Sequence, residues 1–294
     1  MTHTPVLLKE AIEILNPQPG EFFIDGTIGG GGHAIEITKR IEPNGILLGI
    51  DWDKEAIQRF KVKGLRFKNL ILVQGNYADL PEILEKHNLP KADGLLLDLG
   101  MSSEQLENSG RGFSFLRNEP LDMRYNHDNG ATAAGVVNSF SEKDLAEIFW
   151  QYGGEKFSRL IAKKIIEERR NKRILTTFDL VEAVKKSTPR NYERGRIHPA
   201  TRTFQALRIY VNDELGNLET LLQNLCQIIR GRAAIISFHS LEDRLVKNYF
   251  RQMAKEGMAE ILTKKPIRPT NEEIQANPRS RSAKLRAIIF NYCL

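Results

Sequence analysis

The sequence predicts an α/β fold, with a doubly wound, mostly parallel sheet that a helical insertion interrupts. Over the first third of the chain, short and nearly continuous apolar runs alternate with helical segments. Such runs are typical of strands that are buried on both faces of a parallel sheet. The alternation stops near Glu104 and a strand pattern returns only at Ala233. Both observations together favour one α/β core with an insertion.

The predicted strands share this apolar character and are bounded by glycine, proline or polar residues. They are residues 21–25, 45–51, 70–75, 94–98, 233–238, 259–263 and 285–291. The helical segments between the first four strands are residues 32–41, 54–63 and 80–86. We expect the last two strands to form a terminal hairpin.

The insertion shows helical periodicity without a convincing strand. Its predicted helices are residues 141–150, 157–170 and 178–186, and a longer helix is expected at 203–229. The apolar residues of that longer helix recur every three or four positions, which fits one packed face. Ser141 and Asp144 fit a capping box, as do Ser240 and Asp243 before a helix that follows residue 238. The predicted core is residues 1–105 and 203–294, and the insertion is residues 106–202.

The charge of the chain is concentrated in two segments. The whole sequence has 43 Lys and Arg against 37 Asp and Glu. Residues 155–196 contain 13 basic and 6 acidic residues, and residues 264–286 contain 7 and 2. Two basic segments on an otherwise acidic chain fit a polyanionic partner, but solvated helix faces would give the same pattern.

Several classes of protein are disfavoured by composition. No run approaches the roughly 20 apolar residues that span a bilayer, and the first residues lack the pattern of a signal peptide. The only cysteines, Cys226 and Cys293, fit a reducing compartment. Neither they nor His198 and His239 have the spacing of metal ligands. We expect a cytoplasmic protein without a metal site.

A glycine-rich turn, DGTIGGGGH at residues 25–33, follows the first predicted strand and opens a helix. Glycines allow positive φ and close approach of a ligand to the backbone, and the helix N-terminus offers free N–H groups. Asp51 ends the next strand, 22 residues after Gly29. A carboxylate there can accept both hydroxyls of an adenosine ribose.

This geometry serves NAD and S-adenosylmethionine alike. Residues 29–34 loosely satisfy the dinucleotide pattern, so an NAD-dependent oxidoreductase remains an alternative. Asp25 before the glycines, and Tyr77 after the third strand, favour the methyl donor. Asp98 ends the fourth strand and is expected to face the reaction site, because ligands bind beyond the carboxyl ends of parallel strands.

Long motifs occur in order along nearly the whole chain. They are HTPVLL (3–8), DGTIGGGGH (25–33), LLDLGMSS (96–103), RGFSF (111–115), PLDMR (120–124), HPATRTFQALRI (198–209), SFHSLEDR (237–244) and NPRSRS (277–282). In these motifs the sequence resembles the ribosomal RNA small subunit methyltransferase H family, which methylates N4 of a cytidine in the decoding region of 16S rRNA.

The resemblance implies a Rossmann-like class I methyltransferase fold with a mostly parallel seven-stranded sheet. It implies S-adenosylmethionine as the cofactor and 16S rRNA within the small ribosomal subunit as the partner, and it allows a homodimer. The insertion would then recognise RNA. The cofactor contacts that it implies are Gly31, Gly32, His33, Asp51, Tyr77, Asp98 and Gln105.

The chemistry adds roles to these residues. The lone pair of cytosine N4 is delocalised, so catalysis needs in-line placement and an acceptor for the N4 hydrogen. Asp98 is the candidate acceptor, although it could serve only to bind the donor. No aromatic residue follows Asp98 in the segment Asp98-Leu99-Gly100-Met101, so the side chain that stacks on the base is expected elsewhere, among Phe113, Phe115 and Phe238. The base must also leave any stack or pairing to reach the site.

The predicted RNA contacts are Arg202, Arg208, His239, Arg279 and Arg281. Arg202 and Arg208 fit phosphate contacts and ion pairs with acidic residues equally well. Ser237, His239 and Asp243 resemble a hydrolytic triad, but they lie within seven residues on one strand–helix turn, where helix capping is the better interpretation. A non-enzymatic RNA-binding factor that kept this fold is a further alternative.

Overall fold

The computed structural model describes residues 5–64, 67–127, 130–189, 192 and 198–291. The chain divides into two compact units. Unit 1 contains Met1–Ser102 and Leu215–Leu294, and unit 2 contains Ser103–Glu214. Cys293 lies outside the described residues, as do His3 and Thr4 of the first motif.

Unit 1 is built on a seven-stranded sheet with the order β3-β2-β1-β4-β5-β7-β6. The strands are β1 (Phe22–Asp25), β2 (Ile46–Asp51), β3 (Leu70–Gln74), β4 (Ala92–Asp98), β5 (Ile229–Ser237), β6 (Ala259–Ile261) and β7 (Lys284–Phe290). The first five strands pair in parallel, and β7 pairs antiparallel with both β5 and β6. The predicted mostly parallel α/β sheet is confirmed.

Helices cover both faces of this sheet. Those of unit 1 are α1 (Leu8–Leu15), α2 (Gly32–Ile41), α3 (Lys54–Gly64), α4 (Leu80–Lys86), α11 (Glu214–Ile228, from Leu215 onwards), α12 (Ser240–Lys255) and α13 (Asn271–Ala276). In α2, Ala34, Ile37 and Ile41 are fully buried at helical spacing, which gives the helix one apolar face. The sequence prediction did not include α1, which buries Ala11, Ile12 and Leu15.

Alternation along the strands divides the core of unit 1 into two layers. In β4, Leu95 and Leu97 pack into one apolar cluster and Leu96 packs into the other. In β1, Ile24 and Phe23 divide in the same way. Each such fully buried side chain contributes about 1.5–3 kcal/mol of hydrophobic stabilisation. The central strands β1 and β2 are therefore apolar until their last residue, and β4 is apolar from Gly94 to Leu97 before it ends at Asp98.

Unit 2 is helical over its described residues. Its helices are α5 (Ser103–Asn108), α6 (Ala133–Ser139), α7 (Glu142–Gly153), α8 (Ser158–Asn171), α9 (Thr177–Ser187) and α10 (Thr201–Val211). The extended pairing within this described part is limited to an isolated bridge between Pro120 and Thr176. None of the helices in the described ranges of the whole chain combines the length and apolar character needed to cross a membrane.

The prediction of one long helix at 203–229 is wrong, because the structure has two helices there, α10 and α11. Asp213 lies between them with φ of +45°, in the left-handed region. The Asn212 side chain donates to the Met123 carbonyl at 2.7 Å and accepts from the Tyr125 amide at 2.7 Å. These contacts with a distant loop hold the break, which also separates the two units.

The predicted cap of α12 is also displaced by one residue. His239, rather than Ser240, is the N-cap, and its capping-box partner is Glu242. The Asp243 carboxylate accepts instead from Lys284 Nζ at 2.9 Å and from Arg286 Nε at 2.6 Å, both on β7. The structure therefore uses Asp243 to join α12 to the sheet. Ser141 does cap α7 as predicted, by accepting from the Asp144 amide.

Candidate active site

Three aspartates lie at one edge of the sheet. Asp25 ends β1, Asp51 ends β2 and Asp98 ends β4, and β1 pairs in parallel with both of the other strands. The carboxyl ends of parallel strands meet at a common edge, where ligands of open α/β sheets bind. The candidate active site is therefore built on this edge.

The glycine-rich turn is bonded to both neighbouring strands. The Gly26 amide donates to the Leu96 carbonyl at 3.0 Å, and the Ile28 amide donates to the Ile50 carbonyl at 2.9 Å. Gly31 has φ of +79° and is the N-cap of α2. A Cβ atom at Gly31 would lie 2.0 Å from the Phe60 ring. Backbone conformation and packing therefore both require glycine at this position.

Asp51 holds the opposite side of the turn. Its carboxylate accepts from the Gly29 amide at 2.8 Å and from the Asp53 amide at 2.8 Å. Burial raises the pKa of Asp51 to about 6, although both amide bonds act in the other direction. Because each carboxylate oxygen has two lone pairs, Asp51 can still accept hydroxyl groups from a ligand.

Thr27 connects the other two aspartates. Its amide donates to Asp25 Oδ1 at 3.1 Å, and its hydroxyl accepts from the Asp98 amide at 2.6 Å. The Asp25 side chain is buried, and this burial raises its pKa to about 7, with a further contribution from the like charge of Asp51. Sequence reasoning did not identify Thr27, although it lies within the glycine-rich motif.

Asp98 faces the side chain of His33. His33 Nδ1 lies 3.7 Å from Asp98 Oδ2, and both side chains are largely buried. His33 Nε2 lies 3.0 Å from the Val6 carbonyl oxygen. Because a carbonyl oxygen only accepts, Nε2 must carry a hydrogen, and Nδ1 is the atom that can gain or lose a proton beside Asp98.

The surroundings of Asp98 disfavour its ionisation. Burial raises its pKa well above the usual range, and the like charges of Asp25, Glu242 and Glu273 raise it further. Asp98 Oδ1 is buried without a hydrogen-bond partner. A buried carboxylate oxygen left without a donor is costly, and such atoms mark positions where a ligand completes the site.

Tyr77 and Asn76 bring the end of β3 to the same turn. The Asn76 side chain accepts from the Ala78 amide at 3.0 Å and donates to Asn217 Oδ1 at 2.8 Å. Tyr77 is half-buried, and its Cβ would lie 3.4 Å from a Cβ placed on Gly26. The structure thus places the predicted aromatic residue against the glycine-rich turn.

Comparison with known proteins identifies the family to which the chain belongs. Residues 1–290 match the model of the MraW methylase family. The chain belongs to this methylase family. Two relatives are each called a ribosomal RNA small subunit methyltransferase H. The Syntrophobacter fumaroxidans protein is 42% identical, with 98% of this chain and 96% of that protein covered. The Syntrophotalea carbinolica protein is 45% identical, with 97% of each covered.

Among solved structures, Aeropyrum pernix fibrillarin with bound S-adenosyl-L-methionine is 11% identical with a TM-score of 0.41. That comparison covers 92% of this chain and 67% of fibrillarin.

The methylase is an S-adenosylmethionine-dependent enzyme, and the strand edge fits that cofactor. The donor carries a positive sulfonium and a positive ammonium, and Asp25, Asp51 and Asp98 supply carboxylates around the turn. Gly29 has φ of +46°, in the left-handed region, so the turn needs glycine there as it does at Gly31. The unpartnered Oδ1 of Asp98 is a further feature that a ligand would complete.

The predicted site residues in unit 2 have internal contacts. Gln105 is buried in α5, and its cofactor contact stays a prediction. Arg208 forms a two-bond ion pair with Glu214, at 2.8 and 2.9 Å. Arg202 donates to the Gly154 carbonyl at 3.1 Å. Of the two alternatives for Arg208, the structure shows the ion pair with an acid; phosphate contacts stay predictions for both arginines.

The remaining predicted RNA contacts in unit 1 differ in exposure. Arg279 and Arg281 are exposed on the short turn at Pro278–Ser282, where a polyanion could reach them. The His239 side chain is only 8% exposed and its Nε2 lies 3.2 Å from Glu242 Oε1. His239 therefore has a capping role, and its contact with RNA stays a prediction.

The three aromatic candidates for stacking on the base belong to different units of the chain. Phe238 follows β5 in unit 1 and lies 3.5 Å from a Cβ placed on Gly100, just beyond Asp98. In unit 2, Phe113 stacks on Tyr125 and Phe115 stacks on His198. That one of these three rings stacks on the base stays a prediction.

The hydrolytic triad is excluded by these contacts. The Ser237 hydroxyl donates to the Lys284 carbonyl, and the Asp243 carboxylate is held by Lys284 and Arg286.

Proposed function

We propose that this methylase transfers a methyl group to N4 of a cytidine in 16S rRNA within the small ribosomal subunit. The observation that carries the proposal is the buried, unpartnered Oδ1 of Asp98 at the end of β4. An exocyclic amine loses a hydrogen when it is methylated, so its enzyme needs an acceptor at the reacting nitrogen. The relatives named for small-subunit rRNA support the choice of RNA.

Bound S-adenosylmethionine supplies an electrophilic methyl group on a sulfonium, which becomes a neutral thioether after transfer. Asp51 would accept the ribose hydroxyls, because its carboxylate is already fixed by the Gly29 and Asp53 amides. Gly31 and Gly32 form the start of α2, whose backbone N–H groups would favour the ligand's carboxylate. Tyr77, whose Cβ lies close to Gly26, would supply the aromatic ring that packs on the adenine.

Asp98 Oδ1 would receive the N4 hydrogen. As N4 takes up the methyl group, its proton would pass to the Asp98 carboxylate. The Thr27 hydroxyl accepts from the Asp98 amide, so the backbone that carries the acceptor is already positioned. Preorganised groups of this kind act without reorganisation during the reaction.

His33 would keep Asp98 ready to accept a proton. Asp25, Glu242 and Glu273 all disfavour the ionised carboxylate of Asp98. Among the described residues, no lysine or arginine forms an ion pair with Asp98, whereas His33 Nδ1 lies 3.7 Å away. A protonated His33 would offset the surrounding negative charge. His33 is therefore a positioning residue that acts through Asp98.

RNA recognition would involve the insertion, predicted at residues 106–202, together with the exposed turn that carries Arg279 and Arg281. Phosphate contacts of this kind give salt-dependent affinity and little sequence selectivity. The proposal places the reaction in the cytoplasm, where small subunits are found. A homodimer is a further part of the prediction, to be measured by analytical ultracentrifugation.

The test is a transfer assay with labelled S-adenosylmethionine and small subunits from a strain that lacks the gene. Nucleoside mass spectrometry should find N4-methylcytidine in 16S rRNA. The finding of 5-methylcytidine would overturn the mechanism. Tight RNA binding without any transfer would favour a non-enzymatic assembly factor, and calorimetric binding of NAD in place of S-adenosylmethionine would favour an oxidoreductase.

A further inference from the structure

A groove on unit 2 between α7 and the start of α8 has no role in the chemistry above. Its lining includes Lys143 and Trp150 on α7, and Lys156, Arg159 and Leu160 on the facing segment. Trp150 is 60% exposed and Leu160 is 52% exposed, so two large apolar side chains of the same groove are open to solvent. Lys143, Glu147 and Trp150 are spaced by four and three residues, so they share one face of α7.

The cations of this groove differ from three other basic residues of unit 2, Lys172, Lys186 and Arg169. Lys172 pairs with Asp179 at 2.9 Å, Lys186 pairs with Glu168 at 3.2 Å, and Arg169 donates to two backbone carbonyls. Among the described residues, Lys143, Lys156 and Arg159 form no ion pair. Two acids, Glu142 and Glu147, also line the groove, and Glu147 accepts from Gln151 at 2.7 Å.

The turn that carries Lys156 is held in place by the buried side chain of Glu155. Glu155 is fully buried, and its Oε1 accepts from the Phe157 amide at 2.8 Å and from the Tyr192 hydroxyl at 2.8 Å. The Phe157 and Tyr192 rings pack edge to face, with centroids 4.8 Å apart. Because this turn is held rigid, the exposed side chains beside it are presented in a defined arrangement, which lowers the entropic cost of binding.

We propose that this groove binds an unpaired nucleotide of single-stranded RNA, with the base stacked on Trp150 and the backbone phosphates on Lys143, Lys156 and Arg159. An exposed aromatic side chain surrounded by cations is the arrangement that single-stranded nucleic acids use. An apolar protein segment would cover these cations without supplying a counter-charge, which costs free energy. RNA supplies both the stacking base and the negative charge. The proposal rests on RNA being the substrate.

The test measures binding of a fluorescein-labelled single-stranded RNA of about 20 nucleotides, by anisotropy at several salt concentrations. Trp150→Ala should weaken binding about 5- to 150-fold, the range for one lost stacking contact, and Trp150→Phe should retain most of the affinity. Arg159→Gln should lower the salt slope by about 0.7, as expected for one phosphate contact on a single strand. RNA should also quench Trp fluorescence in the wild type and less in Trp150→Phe.

Two matched controls lie in the same unit. Phe178 is an exposed aromatic residue on α9, so Phe178→Ala should leave the affinity unchanged. Lys172 is exposed but paired with Asp179, so Lys172→Gln should leave the salt slope nearly unchanged.

Unchanged affinity in Trp150→Ala, or an unchanged salt slope in Arg159→Gln, would overturn the proposal. So would loss of binding to small subunits with unchanged binding to RNA, which would indicate a protein occupant. Dissociation of a wild-type dimer by Trp150→Ala would instead make the groove an interface between copies.

If the wild type methylates small subunits but Trp150 is dispensable for RNA binding, the groove proposal is wrong and the proposed function is unaffected. If Trp150-dependent binding occurs without methyl transfer, the proposed function fails alone.

Discussion

Asp98 and Asp243 both lie near the carboxyl ends of the parallel strands in unit 1, but their surroundings are opposite. Asp243 accepts from Lys284 and Arg286, and although burial opposes its ionisation, these two partners lower its pKa. Asp98 is surrounded by Asp25, Glu242 and Glu273, and its pKa is raised. The Asp243 carboxylate has its hydrogen-bond donors within the fold, whereas Oδ1 of Asp98 has none. The comparison separates an aspartate that stabilises the protein from one that is available for chemistry.

The largest effect is expected for Asp98→Asn. The amide cannot accept the N4 proton, so the rate of methyl transfer should fall by about 100-fold or more, the usual contribution of a general base. Stability should be maintained or increased, because the substitution removes a poorly solvated charge. Labelled methyl transfer to small subunits and thermal unfolding measure the two quantities. A loss of less than tenfold would assign Asp98 to donor binding only.

The same substitution at Asp243 should have the opposite pattern. Asp243→Asn weakens two charge-assisted hydrogen bonds and leaves Lys284 and Arg286 without a counter-charge, so the free energy of unfolding should decrease by about 2 kcal/mol. Urea denaturation measures this change. If Asp243→Asn were as stable as the wild type, the contrast between the two aspartates would not hold.

Asp25→Asn should change the pH dependence of stability. Burial raises the pKa of Asp25 to about 7, so the folded state favours the protonated carboxyl. That stabilising contribution is complete below about pH 4 and is lost as the pH rises through 7. The variant should therefore exceed the wild type in stability at pH 8, by about 1 kcal/mol or more, and not at pH 4. Calorimetric unfolding at both pH values tests this, and equal differences at the two would contradict it.

The smallest expected effect is a shift of the pH profile in His33→Asn. Asparagine can place an amide near the Nδ1 position but cannot become charged, so the pKa of Asp98 should rise further beside Asp25, Glu242 and Glu273. Activity requires ionised Asp98, and the acid limb of the profile of kcat should therefore move to higher pH.

NMR titration of the His33 ring gives an independent measurement. In Asp98→Asn the pKa of His33 should fall, because the neighbouring carboxylate is lost. His33→Gln, which can retain the bond to the Val6 carbonyl, separates loss of that anchor from loss of the titrating group. An unchanged profile in His33→Asn would remove His33 from this role.

Local patterns predicted much of unit 1. The boundaries of α2 and α4 agree with the apolar periodicity, and Asp25, Asp51 and Asp98 were placed at strand ends because buried parallel strands are apolar until they end. Contacts between distant residues were not predictable. Asn212 breaks a continuous helical pattern through bonds to Met123 and Tyr125, almost 90 positions away.

The partners of the charged residues were likewise not predictable from local sequence. Arg208 could have met phosphate or an acid, and only the fold shows that Glu214 is placed to pair with it. The Ser240–Asp243 and His239–Glu242 patterns overlap in the sequence, and the β7 residues that engage Asp243 decide between them. The contact between His33 and Asp98 joins two motifs that are 65 positions apart, which no local spacing indicates.

The position of unit 2 between β4 and β5 has a consequence for synthesis of the chain. β5 is the parallel neighbour of β4, but unit 2 and α11 must be translated before β5 exists. At about 5–20 residues per second this interval is roughly 6–25 s. During that time the β4 edge, with its apolar Leu95, Leu96 and Leu97, lacks its partner strand. An unpaired apolar edge is prone to intermolecular pairing, so a nascent chain stalled in unit 2 should be the form of this protein that most needs a chaperone.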